Sequence, residues 1–445
     1  MKKYPTYNQL NLSQITKDIL QSWKEKNTFE KSISTREGKK PWVFYEGPPS
    51  ANGLPGIHHV MGRTIKDIFC RYKTLQGFQV KRKAGWDTHG LPIELGVEKT
   101  LGITKEDIGN KNSAKYISVE DYNKACRKEV MKYTDVWENL TNMMGYWVDM
   151  SDPYITYDNK YIESVWWLLQ NLSKKDLIYK GFTIQPYSPA AGTGLSSHEL
   201  NQPGCYRDVK DTSLTAQFEA KNTAKSAFLF EKSGGAPVYL LAWTTTPWTL
   251  PSNSALTAGK NIAYVLVKTF NPYTYLPVHV VLAKDLVKNY FQAAAENGDF
   301  DAYVAAEKKP SAIPYVIVDT FKGSDIEGVE YAQLMPYVQP ASPAFRVILG
   351  DFVTTEDGTG IVHTAPTFGA DDFRVAQQNN IPAIFVQDSN GKDVPLVNRQ
   401  GCFVQEVTDY ALEPVKEAYL SEEEKEAAKI KQGRDKYLSV DERIA

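Results

Sequence analysis

The residues best suited to chemistry fall in two places of the 445-residue sequence. The first is the stretch Phe44–Glu94, which holds three of the six histidines (His58, His59 and His89) among seven glycines and four prolines. His58 and His59 follow a loop rich in proline and glycine, Gly47-Pro48-Pro49 through Pro55-Gly56, at the point where a helical pattern begins. Imidazole N–H groups and the amides of a helix N-terminus both donate to phosphate oxygens. Adjacent histidines by themselves fit a structural role as well as a catalytic one. Asp87 lies in Gly85-Trp86-Asp87-Thr88-His89-Gly90, a second glycine-flanked loop. The second place is Trp243-Thr244-Thr245-Thr246-Pro247-Trp248-Thr249, followed by Asn253 and, much later, by Gly358–Pro366 with His363 and by Gly369-Ala370-Asp371-Asp372. Taken alone, its threonines read as good strand formers.

These residues need elements to hold them. An apolar strand at Trp42–Tyr45 runs into the first loop, and Met61, Ile65, Ile68, Phe69 and Tyr72 recur at helical spacing until Gly77 closes the helix. A second strand leads to Gly85. Strand, loop, helix, strand and loop make one turn of a doubly wound parallel sheet, whose ligands sit where the strands end. Residues 12–27 read as an opening helix, and 159–174 as a later one. A single long helix is expected from Ser118, with Tyr122, Cys126, Val130, Tyr133, Trp137, Leu140 and Met144 on its core face.

After Gly181 the text changes to short β-like runs, including Ala227–Phe230, Val238–Trp243, Ala263–Val267, His279–Leu282, Tyr315–Val318, Phe345–Leu349 and Gly360–His363. A separate β-barrel or sandwich over roughly 205–405 follows from that spacing. Ser421–Lys436 is a charged, helix-prone run. Ser439–Glu442 forms a capping box only three residues before Ala445, so a helix begins there and a longer parent chain is expected, with a frayed natural terminus as the alternative.

Composition sets outer limits. A net charge of -2 leaves no general nucleic-acid footprint. The four cysteines are far apart with no CxxC pair, which argues against zinc and against a disulfide framework. Residues 1–20 are too polar for a signal peptide and no long apolar run occurs, so a cytoplasmic protein without membrane contact is expected. Neither GxxxxGK[ST] nor a GxGxxG after the first strand is present, so the two common phosphate-binding loops are excluded.

Read as text, FYEGPPSANGLPGIHHV followed by GWDTHGLPIE resembles the class I aminoacyl-tRNA synthetases, in the branch that handles isoleucine. The family's signature at this helix start is His-x-Gly-His. Here it reads Gly56-Ile57-His58-His59: the last histidine is kept, the first is Gly56 and the glycine is His58. The resemblance implies catalytic roles for His58 and His59, ATP binding by Gly47, Gly56 and His59, pairing of Asp87 with the α-amino group of isoleucine, and Pro48 beside its aliphatic side chain.

The threonine stretch and Gly358–Asp372 resemble the two walls of that family's editing site. Asp372 would hold the amino group of a mischarged amino acid, with Asp371 as the alternative one position away. Thr244, Thr245, Thr246, Asn253 and His363 would bind the adenosine end and position a hydrolytic water. Where many relatives follow Gln185–Pro189 with zinc-holding cysteines, this sequence continues Ala190-Ala191-Gly192-Thr193, so no metal is expected there. The family's Lys-Met-Ser-Lys-Ser loop does not occur in it.

The resemblance thus implies the N-terminal part of a monomeric ligase that uses ATP with Mg2+, isoleucine and tRNA(Ile), and that hydrolyses misactivated valine. Its fold would be α/β: the first half of a Rossmann-like parallel sheet with helical decoration, plus an inserted β-barrel-rich editing domain. The implied layout is a helical segment at 1–40, the half-sheet at 41–185, a connection at 186–204, the editing domain at 205–415 and a charged tail at 416–445. On its own such a part is expected to lack synthetic activity. Its rivals are a free-standing aminoacyl-tRNA deacylase, which has no use for the Asp87 loop, and a non-enzymatic binding module, suggested by Gly56 and His58.

Overall fold

The computed structural model describes residues 9–389 and 391–445, so residues 1–8 of the expected N-terminal segment lie outside the described residues. The chain divides into two units, one up to Gly181 and one from Phe182.

The first unit opens with helices α1 (Leu12–Lys26) and α2 (Thr28–Ser34). The Asn11 side chain caps α1 on the Gln14 N–H, and Asn27 ends it in the left-handed region. Strand β1 (Pro41–Tyr45) leads through the proline-glycine loop into α3 (Ile57–Leu75), and β2 (Gln79–Trp86) returns beside β1. Helices α4 (Leu91–Leu101), α5 (Val119–Val130) and α6 (Thr134–Met143) precede β3 (Asp149–Ile155), and α7 (Asn159–Ser173) follows. The sheet order is β1-β2-β3, with both pairings parallel. Gly85 is required in β2, because a Cβ there would lie 2.4 Å from the Tyr154 ring.

Two expectations change in this unit. The single helix from Ser118 is two helices, broken at Met131–Tyr133. At the break the Tyr133 N–H donates to Ala51 O at 2.9 Å, so a contact with the proline-glycine loop replaces a helical hydrogen bond. The helix at 57–75 forms, but Met61, Ile65, Ile68, Phe69 and Tyr72 are each more than half exposed. Its buried residues are Arg63, Cys70 and Thr74.

The second unit starts with a two-residue hairpin, β4 (Tyr187–Ser188) with β5 (Thr193–Gly194), and the turn α8 (Ser197–Leu200). It continues with β6 (Leu214–Glu219), α9 (Ala227–Lys232), β7 (Val238–Thr244), β8 (Ala255–Ala258), β9 (Ala263–Phe270) and β10 (Pro277–Ala283). Next come α10 (Val287–Tyr290), α11 (Phe300–Ala305), β11 (Val316–Lys322), β12 (Arg346–Leu349), β13 (Ile361–Thr364) and α12 (Ala370–Gln378). A short pair, β14 (Val386–Gln387) with β15 (Asp393–Val394), precedes α13 (Glu422–Gln432) and α14 (Val440–Ile444).

The strands build a five-stranded sheet, β11-β9-β10-β7-β6, and a three-stranded sheet, β12-β8-β13. Residues 328–332 link the two, Lys221 N–H donating to Glu330 O at 2.8 Å just beyond β6 and Gly328 N–H to Val347 O of β12 at 2.9 Å; among the described residues the named strands do not pair into a complete ring. Their shared core buries Phe218, Leu240, Leu256, Tyr264, Leu266 and Tyr331 almost completely. Ala227–Phe230, expected as a strand, lies in α9, whose Leu229 reaches that core. The capping box at Ser439 starts α14 as the sequence implies.

Candidate functional site

The loop between β1 and α3 is pinned from several sides. Glu46 N–H donates to Lys83 O at 2.9 Å, Asp87 N–H to Pro49 O at 3.0 Å, and the Trp137 indole N–H to Gly53 O at 2.9 Å. Glu46 itself is buried, accepting from Lys66 Nζ at 2.5 Å and from the Tyr146 hydroxyl. Sequence reading missed Glu46, and it placed Trp137 in the core without its hydrogen bond to the loop. The only local sign of the former is an acidic residue at the end of an apolar strand.

At the start of α3 the Gly56 N–H donates to His59 Nδ1 at 2.9 Å. The neutral ring therefore carries its proton on Nε2, and the edge of Trp137 packs against it with centroids 4.7 Å apart. Burial, then the neighbouring His58 and Arg63, lower the pKa of His59 from its ordinary value, which favours that neutral form. His58 is exposed and lies 3.8 Å from the His59 ring between centroids. A Cβ on Gly56 would stand 2.8 Å from Cε1 of His58. The imidazole of His58 thus occupies the space beside residue 56 that a side chain at that position would need.

Asp87 is half-buried at the end of β2. Its Oδ1 accepts the His89 N–H at 3.3 Å, and the loop is held by Thr156, whose hydroxyl meets Thr88 N at 2.9 Å and His89 Nδ1 at 2.9 Å. Pro48 is half-buried and Gly47 exposed in the facing loop.

In the second unit the two threonine- and glycine-rich stretches meet around a cavity of about 410 Å³. Thr244, Thr245 and Thr246 form one wall; Gly358–His363, Phe368, Gly369 and Asp372 form the other. Trp243, Thr249, Phe352 and Asp357 also line it, and the sequence reading had not singled them out as site residues. Thr249 already stood in the threonine stretch, whereas no local pattern marks Phe352 or Asp357. The left-handed Gly360 lets β13 approach β10, since its Cβ would lie 2.4 Å from that of Ala283.

Asp372 stands in the first turn of α12, and its Oδ2 accepts the Ala365 N–H at 3.0 Å. Burial lifts its carboxyl to about 6, against the pull of that hydrogen bond. Gly369 leaves room for it, because a Cβ there would lie 2.8 Å from the carboxylate. Asp371 instead is exposed and bonds Arg374 at 3.1 Å, which also holds Asp351.

His363 is buried with both ring nitrogens engaged. Asn253 Nδ2 lies 3.2 Å from Nδ1, and Thr249 Oγ1 lies 2.8 Å from Nε2. The Asn253 amide is oriented by Ala255 O, which accepts from Nδ2 at 2.8 Å, and by the Tyr331 hydroxyl, which donates to Oδ1 at 2.7 Å. The Thr249 hydroxyl donates to Thr246 O at 2.8 Å. The chain of donors is therefore complete only with the His363 proton on Nε2. Burial lowers this imidazole to about 4, so it is neutral at physiological pH. Asn253 sits behind His363 and does not line the cavity. Among the described residues no cluster of three or more His, Cys, Asp or Glu could hold a metal ion, and no helix is long and apolar enough to cross a membrane.

Comparison with known proteins places these sites in context. The family profile described as tRNA synthetases class I (I, L, M and V) matches residues 18–431. The isoleucine–tRNA ligase of Cytophaga hutchinsonii is 63% identical over 434 residues, covering 98% of this chain and 38% of that protein. The isoleucine–tRNA ligase of Bacteroides thetaiotaomicron is 57% identical over 432 residues, covering 95% and 36% respectively. The chain thus spans little more than a third of the length of these curated relatives. A solved P. knowlesi cytosolic leucyl-tRNA synthetase editing domain aligns with 38% of this chain and 65% of its own at 12% identity, with a TM-score of 0.28.

Proposed function

Because the chain belongs to the class I tRNA synthetases (I, L, M and V), we propose that it is the N-terminal part of an isoleucine–tRNA ligase, carrying half of a synthetic site and a hydrolytic editing site. The parent would join isoleucine to tRNA(Ile) with ATP and Mg2+ in the cytoplasm, as a monomer. The layout inferred from the sequence (1–40, 41–185, 186–204, 205–415 and 416–445) is proposed with it. A free-standing deacylase would have no use for an Asp87 loop braced by Thr156 and Pro49.

In the first unit, Asp87 would face the α-amino group of isoleucine and Pro48 its side chain. His59 Nε2–H would donate to ATP phosphate oxygens at the N-terminus of α3, with Gly47 and Gly56 allowing close approach. His58, folded over Gly56, would supply a second imidazole where the family signature has its first histidine.

The observation that carries the hydrolytic reading is the meeting of Thr244–Thr246 with Asp372 around one cavity. An ionised Asp372 would hold the ammonium of a valyl ester. Water would add to the ester carbonyl, the carbon–oxygen bond to the ribose would break, and the ribose oxygen would take the proton as valine leaves. His363 and Asn253, fully engaged with protein groups, would fix the wall through Thr249 rather than act as a base. Editing has a physical need: one methylene gives a hydrophobic pocket only about 1–3 kcal/mol, and valine against isoleucine is the standard example. A second site selecting by size supplies the rest. The test is release of valine from Val-tRNA(Ile) by the chain. Hydrolysis lost in Asp372→Ala is expected, and an inert wild-type chain overturns the reading.

A further inference from the structure

The threonine wall of the cavity is held from behind by a residue far away in sequence. Pro247–Ser252 is a short 3-10 turn, and the first N–H groups of such a turn find no partner within it. The Trp248 N–H is satisfied by Asp441 Oδ1 at 2.9 Å, across a separation of 193 residues. The other oxygen of Asp441 takes Lys416 Nζ at 2.7 Å, and Lys416 also reaches Asp211 at 2.6 Å. The Asp441 side chain is only 3% exposed, and its cation Lys416, 24% exposed, reaches it from the solvent side. Val440, beside it in α14, belongs to the buried cluster on which Trp248 and Phe368 pack, and Phe368 lines the cavity. The backbone so fixed runs between Thr246 and Thr249, which both face the cavity. Asp211, Lys416 and Asp441 do not line it, so they can act on it only through the turn.

We propose that Asp441 is a positioning residue of the hydrolytic cavity: by accepting the Trp248 N–H, with Lys416 holding it in place, it sets the turn that presents Thr246 and Thr249, and with it the preference for valine over isoleucine. The inference rests on the editing reading given above. Asparagine at 441 keeps an acceptor for the Trp248 N–H, whereas alanine leaves that part-buried donor without one.

The experiment uses the full chain with Asp441→Ala and Asp441→Asn. It records hydrogen exchange at the Trp248 amide together with release of valine and of isoleucine from charged tRNA(Ile). Asp441→Ala should speed exchange at Trp248 about tenfold, lower valine release about tenfold and release isoleucine relatively faster, while Asp441→Asn stays within about threefold of wild type. A merely structural role would slow both releases alike and leave their ratio unchanged. Unchanged Trp248 exchange, or an unchanged ratio in folded Asp441→Ala, overturns the proposal. If Asp441→Ala does not fold, Lys416→Met, which leaves the carboxylate without its cation, is judged by the same two readouts. A wild-type chain inert on both charged tRNAs, with Trp248 exchange still governed by Asp441, would overturn the editing reading and uphold the positioning contact.

Discussion

Asp372 and His363, about one cavity, are displaced in opposite directions by the same cause. Burial raises the carboxyl to about 6 and lowers the imidazole to about 4. Over the interval between those values the folded chain keeps a proton on Asp372 that an unfolded carboxylate releases, so acidification favours the fold. His363 meanwhile refuses a proton that an unfolded imidazole takes, so acidification disfavours it. The two contributions oppose each other in the wild type. Asp372→Asn, which can still accept the Ala365 N–H, should therefore be more stable at neutral pH, by roughly 1–3 kcal/mol. It should also lose stability more steeply than wild type on acidification, by up to about 1.4 kcal/mol per pH unit; urea unfolding at several pH values checks both. Because Asp372 must be ionised to hold an ammonium, valine release should rise as pH increases through about 6. Asp372→Ala should cut release roughly 100-fold, the order expected when a desolvated charge loses its partner. Equal release at low and neutral pH would show that another group binds the substrate.

Elements matter here as braces for loops. The break between α5 and α6 brings Tyr133 and Trp137 onto the proline-glycine loop at Ala51 and Gly53. Trp137→Phe keeps most of the packing and removes one hydrogen bond, so a loss of about 1 kcal/mol in stability is expected, with isoleucine binding weakened several-fold by titration calorimetry. Gly360 joins a left-handed backbone to a 2.4 Å approach on Ala283. Gly360→Ala should cost roughly 2–5 kcal/mol and lower the thermal midpoint, with loss of the cavity wall. Apolar spacing located the helices at 57–75 and 159–173, but it did not show that their stripes stay exposed in this unit. Periodicity reports that a face is apolar, not what covers it. The run Ala227–Phe230 is apolar enough for a strand, yet it forms a helix whose Leu229 reaches the core.

On the scale of the whole molecule, the proposed activities are assigned to separate units with separate cores. Asp87→Ala should abolish isoleucine binding and leave valine release within about twofold, and Asp372→Ala should do the reverse, as expected for sites with no shared partners. Loss of both activities in either variant would mean that the two readings describe one site.

Read alone, the sequence determined which residue types stand together along the chain: a proline-glycine loop before paired histidines, a carboxylate in a glycine-flanked turn, a run of threonines. Those are local facts, and the family resemblance rests on them. It also marked Gly56 as the departure from the family signature. Tertiary structure decided which of those groups are available to a ligand. Asp371 and Asp372 are adjacent in the sequence, yet one is paired with Arg374 in solvent while the other faces the cavity. His363 and Asn253 read as binding groups, but their polar atoms are engaged by Thr249, Ala255 and Tyr331. Asp441 gave no sign beyond a capping box, and the fold brings it beneath the threonine turn. The reason is the same each time: a hydrogen bond is spent by partners distant in sequence, and only folding brings those partners within reach.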